Sequence, residues 1–196
     1  GAARTEYWVY SDEGYAGRFI LSGLPQSQEA APMRYEELWV WPMQGVWSTD
    51  AVAVKTSNGW RWMQNDHLGT LQQLLNPEGA VVHRQRMEAY GRSVRNGEEQ
   101  SLRFAGQVED AHSGTYYNFH RNYEARSGSY TQWDPIGLSG GVNVYGYAGG
   151  NPIRVIDPEG TEQWCGCNDG ITALCGMCPV APPMPHIPDP NQTDVG

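Results

Sequence analysis

The chain is predicted to be all-β: an antiparallel β-hairpin meander forming a strip, followed by an extended Pro- and Cys-rich C-terminal tail. Three observations lead there. Short aromatic and β-branched runs recur between clusters of Gly, Pro, Asn and Asp, so pleated surfaces alternate with turns. The aromatic residues are mostly polar-tipped, with 8 Trp and 11 Tyr against 3 Phe, which suits a thin sheet whose faces are both partly wet. A strand–turn–strand beat returns along the first hundred residues, the mark of a repeat whose units bury their faces against neighbours.

Taken in order, Tyr7–Tyr10 reads as a strand, Ser11–Gly14 as a turn and Arg18–Leu21 as the next strand. Gly23–Pro32 is polar and reads as a loop, and Leu38–Trp41 is a strand ended by Pro42. Val52–Val54 should pair with Trp60–Trp62 across Ser57-Asn58-Gly59, since Asn-Gly between apolar runs is a strong hairpin signal. After Asp66-His67-Leu68-Gly69, Thr70–Leu75 is a strand, Asn76–Gly79 a turn and Ala80–Gln85 the returning strand. Met87–Tyr90 continues it outward to Gly91, and the polar stretch Arg92–Gln100 reads as a loop. Phe104–Gly160 is a string of short strands and tight turns, punctuated by Asp134-Pro135 and Asp157-Pro158. Beyond it, Trp164–Cys178 is rich in Cys and Gly, and Pro179–Pro190 favours extended, polyproline-like backbone. Such a tail keeps a fixed course only when held against the body of the chain or another subunit. The shifts in composition divide the chain into a hairpin strip (1–100), an aromatic core segment (101–160) and a tail (161–196). A start inside a repeat-like pattern favours a fragment of something longer.

A net charge of −9 argues against a nucleic-acid partner, whose phosphates demand Lys and Arg. No run approaches the roughly 20 apolar residues of a membrane-spanning helix. His67, beside Asp66, lacks an accompanying nucleophile and reads as part of a turn.

The segment Phe104–Gly160 resembles the C-terminal core of Rhs (YD-repeat) proteins. The pieces that carry the likeness are Phe104-Ala-Gly-Gln107, Asp110 through Ser113-Gly114 to Tyr116-Tyr117-Asn118, Arg121-Asn-Tyr123, Trp133-Asp-Pro-Ile-Gly-Leu138, Asn143-Val-Tyr-Gly-Tyr147, Asn151-Pro152 and Asp157-Pro-Glu-Gly160. Upstream, Asn65-Asp-His-Leu-Gly-Thr70 and Ala89-Tyr-Gly-Arg92 resemble the last repeats before that core. The resemblance implies a bacterial, secreted or cell-surface protein and a shell of hairpins around a C-terminal toxin, with the remaining shell or identical subunits as partners. It also implies an aspartyl self-cleavage in which Asp110 and Asp134 are the two carboxylates. Two carboxylates sharing a site cannot both ionise easily, so one stays protonated while the other activates water. The expected cut follows a motif matched by Pro152, Asp157, Pro158 and Gly160; Thr161 stands where the family has Leu. Glu109 stands where relatives in insecticidal toxin complexes carry Arg. The alternative for Asp110 and Asp134 is a turn role, their side chains bonding their own backbone. At most, then, the chain is a peptidase acting on itself.

Cys165, Cys167, Cys175 and Cys178 lie within the tail. A short tail lacks the core to stay folded unaided, so two disulfides or a tetrahedral zinc site would help it; the acidic, secreted-type composition favours the disulfides. No other cofactor is expected. Three functions are thus open. The first is a structural part of an Rhs shell or plug. The second is a self-assembling extracellular fibre or surface subunit, a homo-oligomer or filament joined by strand edges and tail contacts. The third, weakest because only the tail follows Gly160, is a short toxin effector.

Overall fold

The computed structural model describes residues 4–22, 33–42, 47–166 and 174–177. Eight strands follow one another: β1 (Arg4–Ser11), β2 (Gly14–Ser22), β3 (Met33–Val40), β4 (Ala53–Thr56), β5 (Gly59–Asn65), β6 (Leu71–Leu75), β7 (Val81–Met87) and β8 (Ser93–Gly97). Each pairs antiparallel with its sequence neighbours, so the order in the sheet is the order in the chain. The Asn58-Gly59 hairpin closes β4 on β5, with Ala53 opposite Trp62 and Thr56 opposite Gly59. One turn is used three times: the amides of Asp66, Asn76 and Glu88 donate to the carbonyls of Thr70, Ala80 and Arg92, and the amides of Gly69, Gly79 and Gly91 donate back to those opening residues. Register shifts at Val9/Tyr10, Arg18/Phe19, Gln64/Asn65 and Leu74/Leu75 interrupt the ladder, and such bulges strengthen the twist of a sheet.

Two expectations are corrected by the third of these turns. Glu88–Arg92 reverses the chain, so Met87–Tyr90 does not continue outward; the strand ends at Met87 and Ser93–Gly97, expected as loop, returns as β8. Its sequence SVRNG carries no apolar alternation because it is a mostly exposed outer strand. The expected loop 23–32 and the proline-dense stretch 179–190 lie outside the described residues.

One face of the strip is dry. Tyr15, Trp39, Val54, Leu71 and Leu74 pack with Leu102 and Val108, which the chain lays across them after β8. On β5 the alternation is inverted: Trp60 and Trp62 face outward at 42% and 49% exposure, while Arg61 is buried and held by both carboxylate oxygens of Glu98, at 2.8 and 2.6 Å. Both faces therefore carry aromatic and polar groups.

The core segment forms a second sheet, β9 (Val108–Asp110), β10 (Thr115–Asn118), β11 (Arg121–Glu124) and β12 (Ser129–Tyr130), in the order β12-β11-β10-β9. Tyr116 lies opposite Tyr123, and Tyr123 opposite Tyr130. Their rings are 6.2 and 5.7 Å apart, the cross-strand aromatic contact that stabilises sheets. Phe104 stacks on Tyr147 at 5.5 Å and closes this cluster. A third sheet joins β13 (Val155–Ile156), β14 (Trp164–Gly166) and β15 (Leu174–Met177). Val155 pairs with Cys165 and Ile156 with Trp164, so the chain turns back at residue 160 and the described part of the tail is held by the body of the same chain. Among the described residues there is no α-helix, only two short 3-10 turns, Gly137–Gly140 and Ala148–Gly150.

Candidate functional site

Strand β11 begins with a charge where the alternation demands an inward side chain. Arg121 and Tyr123 are buried and Asn122 is not. A buried guanidinium must spend its donors on acceptors, and this one does so on four residues from three segments of the chain. Arg121 Nε donates to the Gly160 carbonyl at 2.6 Å and Nη1 to the Val144 carbonyl at 3.2 Å. Its Nη2 lies 3.0 Å from Asp134 Oδ2 and 3.1 Å from Asp157 Oδ2. The guanidinium carbon sits 3.7 Å from the centre of the Tyr130 ring, a cation–π contact.

The two carboxylates are fixed by backbone as well. Asp134 Oδ1 accepts from the amide of Ile136 at 3.0 Å. Asp157 Oδ2 accepts from Tyr130 Oη–H at 2.8 Å, and its Oδ1 from the amide of Thr161 at 2.8 Å. Asn118 Nδ2 donates to Tyr130 Oη and to the Asp157 carbonyl, at 2.6 and 2.7 Å. Burial pushes the Asp157 carboxyl up to about 6; the Tyr130 bond and Arg121 act against that, and Asp134 adds to it. One cation facing two buried carboxylates leaves a negative charge that a proton on Asp157 relieves. The Tyr130 phenol is pushed well above its ordinary value, chiefly by burial, so it remains a donor.

This knot grips the junction that the sequence marked. The carbonyl of Gly160 is held by Arg121 and the amide of Thr161 by Asp157. Gly160 has φ of +71°, and a Cβ there would lie 2.6 Å from the Asn118 carbonyl; only glycine brings the chain this close. The Phe104-Ala-Gly-Gln107 loop presses on the same segment, since a Cβ on Gly106 would lie 2.4 Å from the Pro158 carbonyl.

The sequence-derived residues are thus divided. Asp134, Asp157 and Gly160 meet at Arg121, with Pro158 and Thr161 adjacent in the chain; Pro152 is buried upstream. Asp110 is elsewhere. Its carboxylate, 39% exposed, accepts from the His112 amide at 2.9 Å, and it lines an open groove with Trp8, Tyr10 and Tyr117. Among the described residues no hydrogen bond or ion pair joins it to Asp134, so the pair brought together is Asp134 and Asp157. Burial, the largest single influence, raises the Asp110 carboxyl, but the local hydrogen bonds from His112 and Ser113 together outweigh it and hold the group below its ordinary value. Glu109 bridges Arg95, at 2.7 Å, and the buried Arg103. His67 Nε2 meets the Ile153 carbonyl at 3.0 Å. Cys165 packs against the tyrosine cluster, and no free thiol occurs among the described cysteines. Cys167 and Cys178 lie outside the described residues, as does the side chain of Cys175.

No protein-family model matches the chain. It is 40% identical over 102 residues to "Toxin protein Tse5" of Pseudomonas aeruginosa, covering 50% of this chain and 8% of that protein. It is 39% identical over 127 residues to "Probable deoxyribonuclease RhsA" of Dickeya dadantii, covering 61% of this chain and 8% of that protein. The chain is Rhs-related. The crystal structure of TcdB2-TccC3 without its hypervariable C-terminal region superposes with a TM-score of 0.56 at 20% identity, over 79% of this chain and 9% of that one; at that identity the likeness is one of fold. This Rhs-related chain spans less than a tenth of the length of each of the three.

The residues that sequence reasoning had not joined are Arg121, Tyr130 and Asn118. A signal was present: Arg121 is two positions from Tyr123, so a strand that buries the tyrosine buries the arginine. A buried arginine then calls for carboxylates from elsewhere in the chain.

Proposed function

We propose that this Rhs-related chain is a structural segment at the end of a secreted or surface-exposed bacterial β-shell. In this reading the strip continues the shell and the core closes it. The remaining shell is the partner, and the chain beyond Gly160 departs through the Arg121 knot. The observation that carries the reading is the strip itself: eight antiparallel strands in chain order, with β1 and β8 as outer strands. Outer strands offer unpaired backbone groups to a further strand. No described helix is long and apolar enough to cross a membrane.

The knot supports the accompanying proposal that the chain cuts itself near Gly160-Thr161, just beyond the motif that Thr161 ends, with Asp134 as one of the acting carboxylates. The four cysteines are proposed to form two disulfides rather than a zinc site, supported by Cys165, which is not a free thiol.

Denaturing mass spectrometry of a longer precursor containing this chain tests the reading. It should show a break near Gly160-Thr161, at the end of that motif, that Asp134→Asn abolishes; an unchanged fragment pattern removes the peptidase role. The fibre reading rests on the same outer strands. The purified chain would then elute as a large ordered assembly, and a monomer at high concentration dismisses it.

A further inference from the structure

We propose that the segment 98–103, which carries the chain from the strip to the core, is fastened to β7 by a pH-sensitive latch: the neutral ring of His83 holds it, and protonation of that ring in mild acid releases it. The inference is independent of the self-cleavage reading. His83 is 2% exposed. Its Nδ1 lies 2.6 Å from the Glu98 carbonyl. A carbonyl only accepts, so Nδ1 carries the ring's proton and Nε2 is left as an acceptor. Gln100 Nε2 meets that acceptor at 3.3 Å and also donates to Gln85 Oε1 at 2.9 Å. Gln85 Nε2 donates in turn to the Leu71 carbonyl of β6, at 3.2 Å. This run of bonds ends on a carbonyl at each side, so its polarity is fixed, and it is complete only while the ring is neutral.

A second proton would sit on Nε2 and face the Gln100 amide donor. Turning the Gln100 amide over brings its oxygen to the ring but sets that oxygen against Gln85 Oε1. Turning Gln85 as well gives up the Leu71 bond and aims an amide donor at Arg103, whose Nη1 lies 3.5 Å from Gln85 Oε1. Each arrangement of these side chains therefore gives up a bond in a buried site, where unmade bonds are costly. The surroundings do not welcome the charge either. Both oxygens of Glu98 are held by Arg61, and the residues opposite His83 on β6 and β8 are Leu74 and Gly97. Burial first, and then the charge of Arg95, hold the ring below its ordinary value of 6.5, against the Glu98 carbonyl and the charges of Glu99 and Glu98. Protons have a route in, because His83 lines an open recess of about 210 Å³ with Asn96, Gly97 and Glu99. The segment also carries Leu102, which packs on the dry face of the strip, so release loosens the seam between strip and core.

Amide exchange and the His83 ring signal, both followed by NMR from pH 8 to pH 5, test the latch. The reporter is the Glu98 amide, which donates to the Val82 carbonyl at 3.0 Å. An opened segment takes up a proton that the closed one refuses. Corrected for the intrinsic pH dependence of exchange, opening should therefore rise as pH falls below 6.5, by up to about tenfold per pH unit, and level off where the ring signal titrates. The amides of Tyr116 and Tyr123 should not follow. His83→Gln keeps a donor and an acceptor but takes no proton, and should show no rise. Gln100→Glu sets a carboxylate against Nε2 and should carry the ring's titration above 6.5, which loss of packing alone does not do. Exchange at Glu98 that stays flat in wild type overturns the latch, and so does an equal rise in His83→Gln or at Tyr116 and Tyr123. A ring that titrates unchanged in Gln100→Glu overturns it as well. Should His83→Gln fail to fold, wild type decides: a rise that levels off away from the ring's own titration refutes the proposal.

Discussion

Replacing Asp157 with Asn is predicted to flatten the pH dependence of stability between about pH 4 and pH 6. The Asp157 side chain is 3% exposed, and its carboxyl titrates at about 6 in the fold against an ordinary value of 3.8. Between those values the folded chain holds a proton that the unfolded chain has released, so folding is favoured at the acid end and loses that contribution as pH rises. A displacement from 3.8 to about 6 corresponds to about 3 kcal/mol, fully present below about pH 4 and gone above about pH 6. The Asn side chain has no proton to exchange. Urea unfolding followed by tryptophan fluorescence at several pH values measures the effect in both chains. The shifts at Asp50 and Asp110 are common to both and cancel in the difference. Wild type should lose about 3 kcal/mol more than the variant between pH 4 and pH 7. Parallel curves would refute the idea that the knot holds a proton.

Arg121→Met leaves two buried carboxylates facing each other. It should cost about 3–5 kcal/mol at neutral pH, the usual result of removing one partner from a buried ion pair, with a smaller loss near pH 4; thermal melts at both pH values check this. Gly160→Ala forces a Cβ against the Asn118 carbonyl at φ of +71°. It should cost at least about 1 kcal/mol, and an unchanged melting temperature would contradict the close approach. For the cysteines, intact mass should rise by about four hydrogens on reduction, since each disulfide lacks two; bound zinc by elemental analysis would favour the metal site instead.

The hairpins were legible where turn chemistry was local. Asn58-Gly59 and Asn76–Gly79 announce themselves, and the strands flanking them follow. β8 was not legible, because an outer strand exposed on both sides needs no apolar pattern; only the likeness of Glu88-Ala-Tyr-Gly91 to the preceding glycine turns points to it. The site was legible in composition but not in pairing. Asp134 and Asp157 were visible as Asp-Pro steps in an aromatic segment, and Gly160 as the end of a motif. Which carboxylates meet depends on Arg121 reaching across from β11, a contact between residues 13 and 36 positions apart in the chain (134 − 121 and 157 − 121). Asp110 ends β9, where its carboxylate bonds the next turn, so the strand does not carry it inward.

Amide hydrogen exchange at Thr161 tests the central claim most directly, because the claim is that a buried Arg121–Asp134–Asp157 knot grips the chain where the tail begins. Held by Asp157 Oδ1 at 2.8 Å, this amide should exchange as slowly as those of Tyr116 and Tyr123 in the core sheet and should lose that protection in Asp157→Ala. Exchange at the rate of an open chain end in wild type would contradict the account.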